Sequence, residues 1–241
     1  MIISFFEEFP NKSNLSKLDL INFNTKLYLA AKSYKEFKKI KIKNRFIKEL
    51  IYWPILEKNE GYWISPFSDY KALLRIFNEK INNKIMLDLE LPKNRFLMIK
   101  NLFNFSKNKK LIRNFINDKT YTAEYYPQGR FKDKIFNFLG LNFSDSLHKN
   151  KVIKMLYHSM HNFNENFIIK EISYGIKNYK EKYLLAFGTI AKGINKNELL
   201  LSLEQLDKDL RIAKELNVSE VIIYRLGGLN KKYINIMKKY V

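Results

Sequence analysis

The chain has 241 residues, 46% of them hydrophobic and 15% aromatic, and a formal net charge of +20 at pH 7. This much apolar material excludes intrinsic disorder as the main state, and the absence of cysteine excludes disulfides, thiolate metal sites and a cysteine nucleophile. No apolar run approaches the about 18 residues of a membrane span, and residues 1–10 lack the features of a signal peptide, so we expect a cytoplasmic protein without membrane contact.

Eight short apolar runs, rich in Ile, Leu, Val, Tyr and Phe, recur along the chain. Most are too continuously apolar for half-exposed antiparallel strands, and they suit strands buried on both faces, as in a parallel sheet. In chain order, the predicted strands are 2–9, 25–31, 48–56, 83–91, 120–126, 151–160, 183–191 and 220–227.

Segments with helical spacing and start signals lie between the runs. After the second strand, Ser33 and Glu36 form a capping-box pattern. After the third strand, Ser65 is the predicted N-cap, with Pro66 at the first helical position. After the seventh strand, Ser202 is the predicted N-cap of an amphipathic helix.

This alternation of strands with helical or short irregular segments is typical of a parallel sheet covered by helices. Eight such units, the last ending in a helix over residues 230–240, predict an α/β fold in which residues 1–241 form a single (β/α)8 barrel domain of the TIM type. We expect some short or irregular helices, notably the first and the fifth. An open doubly wound sheet is the alternative fold.

Polar residues collect at the C-terminal ends of the predicted strands, where barrels of this type carry their active sites. Asp88 and Glu90 interrupt the fourth strand, and residues two apart on a strand point to the same face. We expect both to face the barrel interior, with Glu124 of the next strand close by. Acids held together in this way can acquire different pKa values, as glycoside hydrolysis requires. The alternative is a stabilising salt-bridge network with Arg225 and Lys192.

The stretches MLDLE and MLYHS resemble the Asp-x-Glu and Met-x-Tyr elements of chitinase-like family 18 glycoside hydrolases, which are (β/α)8 barrels. The resemblance implies that Glu90 protonates the glycosidic oxygen and that Asp88 orients the acetamido group of the substrate, which attacks the anomeric carbon. Tyr157 would assist. Asn83 and Met86 stand where the family pattern has two further aspartates, and YRLGG stands where the family has a tryptophan on strand eight.

Other residues at the strand ends are candidates for binding the substrate. Aromatic side chains there can stack on sugar rings as they stack on nucleobases, and charged side chains can hydrogen-bond to hydroxyl groups. The predicted substrate-binding residues are Glu8, Trp53, Lys192, Arg225, Gly227 and Gly228.

A second interpretation places a phosphate group at the loops after strands seven and eight. Gly227 and Gly228 would let backbone N–H groups approach the anion, and Lys192 and Arg225 would add positive charge. This arrangement predicts a lyase, isomerase or phosphodiesterase acting on a phosphorylated small molecule. The structural alternative is a tight turn at the glycine pair.

A third interpretation starts from the net charge. Residues 35–48 and 93–113 interleave lysine and arginine with aromatic residues and would suit a nucleic-acid-binding barrel or a catalytically degenerate one. The Lys-, Asn- and Ile-rich composition of an AT-rich genome explains the same charge without a partner. We expect no metal and no cofactor, because His158 and His161 lack metal-ligand spacing. The oligomeric state is not predicted.

Overall fold

The computed structural model describes residues 1–126, 129–143, 149–161 and 163–241. Eight parallel strands close into a barrel in chain order, which confirms the predicted α/β fold of the TIM type. Most strands end earlier than predicted, because the polar residues at their C-terminal ends already belong to loops. The strands are β1 (Ile2–Glu7), β2 (Thr25–Ala31), β3 (Ile47–Pro54), β4 (Ile85–Leu89), β5 (Thr120–Tyr125), β6 (Lys151–Leu156), β7 (Tyr183–Gly188) and β8 (Glu220–Tyr224).

The helices of the described ranges separate these strands. The helix after the first strand is short, with four residues, whereas the helix after the fifth strand has ten and is longer than predicted. No helix in these ranges combines the length and the apolar character that crossing a bilayer demands. The α-helices are α1 (Lys12–Leu15), α2 (Tyr34–Lys39), α3 (Tyr70–Phe77), α4 (Phe96–Lys100), α5 (Phe105–Phe115), α6 (Arg130–Leu139), α7 (Glu165–Tyr179), α8 (Leu203–Glu215) and α9 (Lys231–Met237).

Two of the predicted helix starts are confirmed by side-chain caps. The hydroxyl of Ser33 accepts a hydrogen bond from the N–H of Glu36 at 3.2 Å, at the start of α2. The hydroxyl of Ser202 accepts one from the N–H of Gln205 at 3.1 Å, at the start of α8. Each serine therefore satisfies a backbone donor that the first helical turn leaves without a partner.

The helix start predicted at Ser65 is wrong. Helix α3 begins at Tyr70, and its N-cap is Asp69, whose carboxylate accepts a hydrogen bond from the N–H of Ala72 at 3.0 Å. The hydroxyl of Ser65 instead accepts from the N–H of Phe67 at 3.1 Å, within a turn. The sequence contains two competent caps here, and the chain uses the second one for the helix.

The chain divides into two compact units. The first consists of residues 1–29, 41–50 and 155–241 and holds β1, β7, β8 and α7 to α9. The second consists of residues 30–40 and 51–154 and holds β4, β5 and α2 to α6. The assignment of the whole chain to one domain therefore stays a prediction.

In the second unit, Tyr52 identifies the side of the sheet that faces the helices. Its ring lies 5.7 Å from that of Tyr34 and 5.3 Å from that of Phe37, both on α2. Tyr52 pairs with Ile85 of β4, and side chains alternate between the two faces along a strand. Asp88, three residues after Ile85, therefore lies on the face turned away from the helices.

In the first unit, Tyr183 identifies the side of the sheet that faces the helices. Its ring packs closely on Gly175 of α7, so the odd-numbered residues of β7 face the helices. Gly188 at the end of β7 lies on the opposite face, where a Cβ on this residue would meet the side chains of Tyr224 at 3.1 Å and Tyr157 at 3.5 Å. These two tyrosines are thus directed away from the helices.

A buried polar cluster lies near the N-terminal ends of the strands in the first unit. The carboxylate of Glu220 accepts hydrogen bonds from Ser4 at 2.8 Å, from Tyr28 at 2.9 Å and from the ammonium of Lys26 at 2.6 Å. All the donors come from β1 and β2. This end of a barrel serves stability rather than catalysis, and the cluster ties three strands together.

Candidate active site

Strand β4 ends in two carboxylates. Asp88 is 5% exposed and lies on the sheet face turned away from the helices, and Glu90 follows directly after the strand. The carbonyl of Asp88 accepts hydrogen bonds from the N–H groups of Glu90 at 3.2 Å and Ile64 at 3.0 Å. These two bonds fix the backbone that presents both acids.

Tyr125, at the end of β5, holds the carboxylate of Glu90. Its hydroxyl donates a hydrogen bond to Glu90 Oε2 at 2.9 Å. Burial raises the pKa of Tyr125 well above its ordinary value, and the negative charges of Glu90 and Asp88 raise it further. The phenol therefore keeps its proton and remains a donor, and both carboxylates are close enough to influence it.

Glu124 lies elsewhere. It pairs with Leu89 across β4 and β5, so it shares the helix-facing side of the sheet and not the face of Asp88. Its carboxylate accepts hydrogen bonds from Lys154 Nζ at 2.7 Å, the Thr122 hydroxyl at 2.8 Å and the Phe143 N–H at 2.9 Å. The structure therefore does not bring Glu124 to Asp88, and its contacts are those of a buried ion pair.

Trp53 is the candidate sugar-stacking residue of the second unit. It follows Tyr52 on β3 and therefore points to the opposite face, the one that carries Asp88. The indole is buried. In the loop that follows, Trp63 packs edge-on against Tyr62 with ring centroids 5.3 Å apart. Trp53 is thus placed on the face of the carboxylates, while Trp63 packs within its own loop.

In the first unit, Tyr224 connects two of the predicted residues, Glu8 and Tyr157. The hydroxyl of Tyr224 donates a hydrogen bond to Glu8 Oε2, and its ring lies 5.9 Å from the ring of Tyr157. Burial raises the pKa of Tyr224 well above its ordinary value, and the charge of Glu8 adds to this effect. Tyr224 was not predicted as a site residue, although its position at the end of the run EVIIY was a usable signal.

The glycine loop after β8 already holds an anion from the chain itself. The N–H of Gly227 donates to Glu7 Oε2 at 2.7 Å, and Arg225 Nη1 donates to Glu7 Oε1 at 3.0 Å. The N–H of Gly228 donates to the carbonyl of Arg225 at 3.2 Å. Lys192 is exposed, and its carbonyl accepts two hydrogen bonds from the guanidinium of Arg225. Apart from the exposed side chain of Lys192, the groups predicted to bind phosphate are therefore bonded within the chain.

His158 also has an internal partner. Its Nδ1 lies 3.0 Å from Asp209 Oδ2, and Gln205 donates to Asp209 Oδ1 at 2.8 Å. Burial raises the pKa of Asp209, and the hydrogen bond from His158 acts in the opposite direction. His161 is exposed. Within the described ranges, no three side chains of His, Asp or Glu are grouped as metal ligands would be.

No protein-family model matches the sequence, and no curated protein matches it either. Solved structures share the fold. The glycoside hydrolase domain of PgaB (BpsB) from Bordetella bronchiseptica is 9% identical with a TM-score of 0.50, over 97% of this chain and 95% of that one. The spore cortex-lytic enzyme SleL from Bacillus megaterium QM B1551 is 12% identical with a TM-score of 0.53, over 99% of this chain and 73% of that one. At these identities the likeness is one of fold.

Proposed function

We propose that the chain is a glycoside hydrolase that acts on an oligosaccharide through Asp88 and Glu90. The observation that carries this proposal is the pair of acids at the C-terminal end of β4, with Glu90 held by the hydroxyl of Tyr125 at 2.9 Å. Glycosidic bond cleavage needs a carboxylic acid that donates a proton to the leaving oxygen, and a second group that attacks the anomeric carbon or holds the attacking group in place.

In the proposed reaction, Glu90 donates its proton to the glycosidic oxygen while the bond from that oxygen to the anomeric carbon breaks. Asp88 orients the acetamido group of the same sugar, whose oxygen attacks the anomeric carbon and takes the place of the leaving sugar. Water then opens the resulting ring, and its proton returns to Glu90. Tyr125 keeps the carboxyl group of Glu90 in position throughout, since its own proton is not lost at neutral pH.

The two solved neighbours support the substrate class of this proposal. One is described as a glycoside hydrolase domain and the other as a spore cortex-lytic enzyme, and the present chain has the same barrel fold. The resemblance of MLDLE to the acidic element of family 18 enzymes points to sugars with an acetamido group. We therefore take chito-oligosaccharides as the first substrates to test.

The test is hydrolysis of chito-oligosaccharides by the wild type and two variants. Glu90→Gln should lower kcat by about 10²- to 10⁴-fold, because it removes the general acid, and should still bind the substrate. Glu124→Gln serves as the comparison, since that carboxylate lies on the helix side in a pair with Lys154. The Glu124→Gln variant should lower the melting temperature and leave kcat close to the wild-type value.

Two results would count against the proposal. Full activity in Glu90→Gln would remove the assigned role of β4, and wild-type protein that neither binds nor cleaves any chito-oligosaccharide would remove the function.

If short RNA were the only ligand and high salt abolished its binding, the net charge of +20 would become the leading functional feature. No contact in the described structure favours a phosphorylated substrate, because Glu7 occupies the N–H group of Gly227.

A further inference from the structure

Glu198 is a buried carboxylate in the loop between β7 and α8. It is 8% exposed, and its Oε2 atom is buried without a hydrogen-bond partner among the described residues. Burying a carboxylate oxygen in this way is costly, because Oε2 loses its water and gains no hydrogen bond from a described residue. Such a group in a folded protein requires an explanation, and a ligand that donates hydrogen bonds is one.

The surroundings of Glu198 show what it would act with. A Cβ on Gly193 would lie 3.1 Å from Glu198 Oε1 and only 2.0 Å from the hydroxyl oxygen of Tyr224. The two oxygen atoms are thus neighbours beside Gly193, whose missing side chain leaves the room that they occupy. The proton of Tyr224 is directed to Glu8 and is not available to Glu198.

These contacts define the chemistry of a ligand. The site offers carboxylate oxygens as acceptors, from Glu198 and from the Glu8–Tyr224 pair, and the rings of Tyr157 and Tyr224 lie 5.9 Å apart at the same strand ends. A sugar ring matches this set, because adjacent hydroxyl groups donate to one carboxylate and the apolar face of the ring stacks on an aromatic side chain.

We propose that Glu198 binds the hydroxyl groups of a sugar ring, in a subsite formed with Tyr224, Glu8 and Tyr157. The inference rests on the proposed function and adds a residue that neither the strand pattern nor the MLDLE and MLYHS stretches indicate. Within this subsite, the hydroxyl of Tyr224 donates to Glu8, and Gly193, which has no side chain, leaves the Tyr224 hydroxyl and Glu198 Oε1 close to each other.

The test measures oligosaccharide binding and thermal stability together, with Glu90→Gln as the parent so that no substrate is consumed. Adding Glu198→Ala should weaken binding of a chito-oligosaccharide at least tenfold and leave the melting temperature unchanged or raise it, because a buried oxygen without a hydrogen-bond partner among the described residues is removed. Glu204→Ala, on the exposed face of α8, is the matched control and should change neither quantity. A purely structural role for Glu198 predicts the reverse: a lower melting temperature with unchanged affinity.

A second variant keeps the carboxylate of Glu198 and fills the space beside it. Gly193→Ala places a methyl group against the hydroxyl of Tyr224 and should also weaken binding at least tenfold in the Glu90→Gln parent. If the parent binds the oligosaccharide and both Glu198→Ala and Gly193→Ala bind it equally well, this inference is overturned and the proposed function stands. If the parent binds no oligosaccharide, the proposed function fails, and the inference fails with it.

Discussion

At the scale of single residues, the hydrogen-bond donors around a buried carboxylate indicate whether it stabilises the fold or is available to bind a ligand. Glu7 is fully buried and accepts hydrogen bonds from the N–H groups of Phe9 and Gly227 and from the guanidinium of Arg225. Glu198 is almost as buried, and its Oε2 has no partner in the described ranges. The donors of Glu7 come from its own unit, whereas no residue of the described ranges donates to Glu198 Oε2.

We predict that Glu7→Ala destabilises the protein by about 3–5 kcal/mol, because the largely buried guanidinium of Arg225 loses its counter-charge. Glu60→Ala is the comparison: its partner Arg75 is half exposed, and the expected loss is about 1 kcal/mol or less. Urea unfolding of the two variants gives both values. Equal losses would mean that burial of the Glu7–Arg225 pair has no energetic consequence.

At the scale of elements, Gly175 sets how closely α7 approaches β7. A Cβ on this glycine would lie 2.2 Å from ring atoms of Tyr183, which is buried. The helix therefore packs directly on the aromatic ring of Tyr183. A glycine in the interior of a helix costs up to about 1 kcal/mol relative to alanine, and here the close packing with the sheet compensates for that cost.

We predict that Gly175→Ala destabilises the protein by about 1–3 kcal/mol, although alanine is the better helix former, because the added methyl group cannot fit against Tyr183. Ser173→Ala, at an exposed position of the same helix, should be neutral or slightly stabilising. Thermal unfolding of both variants tests this. If Gly175→Ala were more stable than the wild type, α7 could move away from the sheet without a loss of stability.

At the scale of the whole molecule, buried tyrosines link stability to alkaline pH. Burial is the largest cause that raises the pKa of Tyr52, Tyr125, Tyr183 and Tyr224 above the ordinary value. In the unfolded chain these phenols ionise near pH 10, roughly their ordinary pKa. Above that pH the folded state binds more protons than the unfolded state, and the free energy of unfolding falls as the pH rises.

We predict that ionisation of these tyrosines gives the free energy of unfolding no pH dependence below about pH 10, and that the free energy of unfolding declines above it. Tyr183→Phe should reduce the slope of that decline by up to the contribution of one bound proton, because it removes a phenol that stays protonated only in the folded state. Tyr174→Phe, at an exposed position, is the control. Urea unfolding at several alkaline pH values gives the slopes, and the same slope in wild type and Tyr183→Phe would contradict the prediction.

The strand pattern was readable because strands buried on both faces are nearly continuously apolar, and this holds for β7 and, apart from Asp88 and Glu220, for β4 and β8. The start of α3 was not readable in the same way. Ser65 and Asp69 both suit an N-cap, and the choice depends on Ile64, which pairs with Leu89 of β4 and keeps the chain extended at that point. That pairing is a contact between segments that are distant in the sequence.

The sequence by itself determined the alternation of strands and helices, because local hydrophobic periodicity is enough to tell buried strands from covering helices, and the number of units predicted the barrel that the structure confirms. It also placed Asp88 at the end of β4. Only the tertiary structure decided that Glu124 turns to the helices and meets Lys154, that Glu7 bonds to the glycine loop, and that Glu198 Oε2 is buried without a donor from the part of the chain that the structure describes. The register between strands and the donors around a carboxylate are set by packing between distant segments, and no pattern along a single segment contains that information.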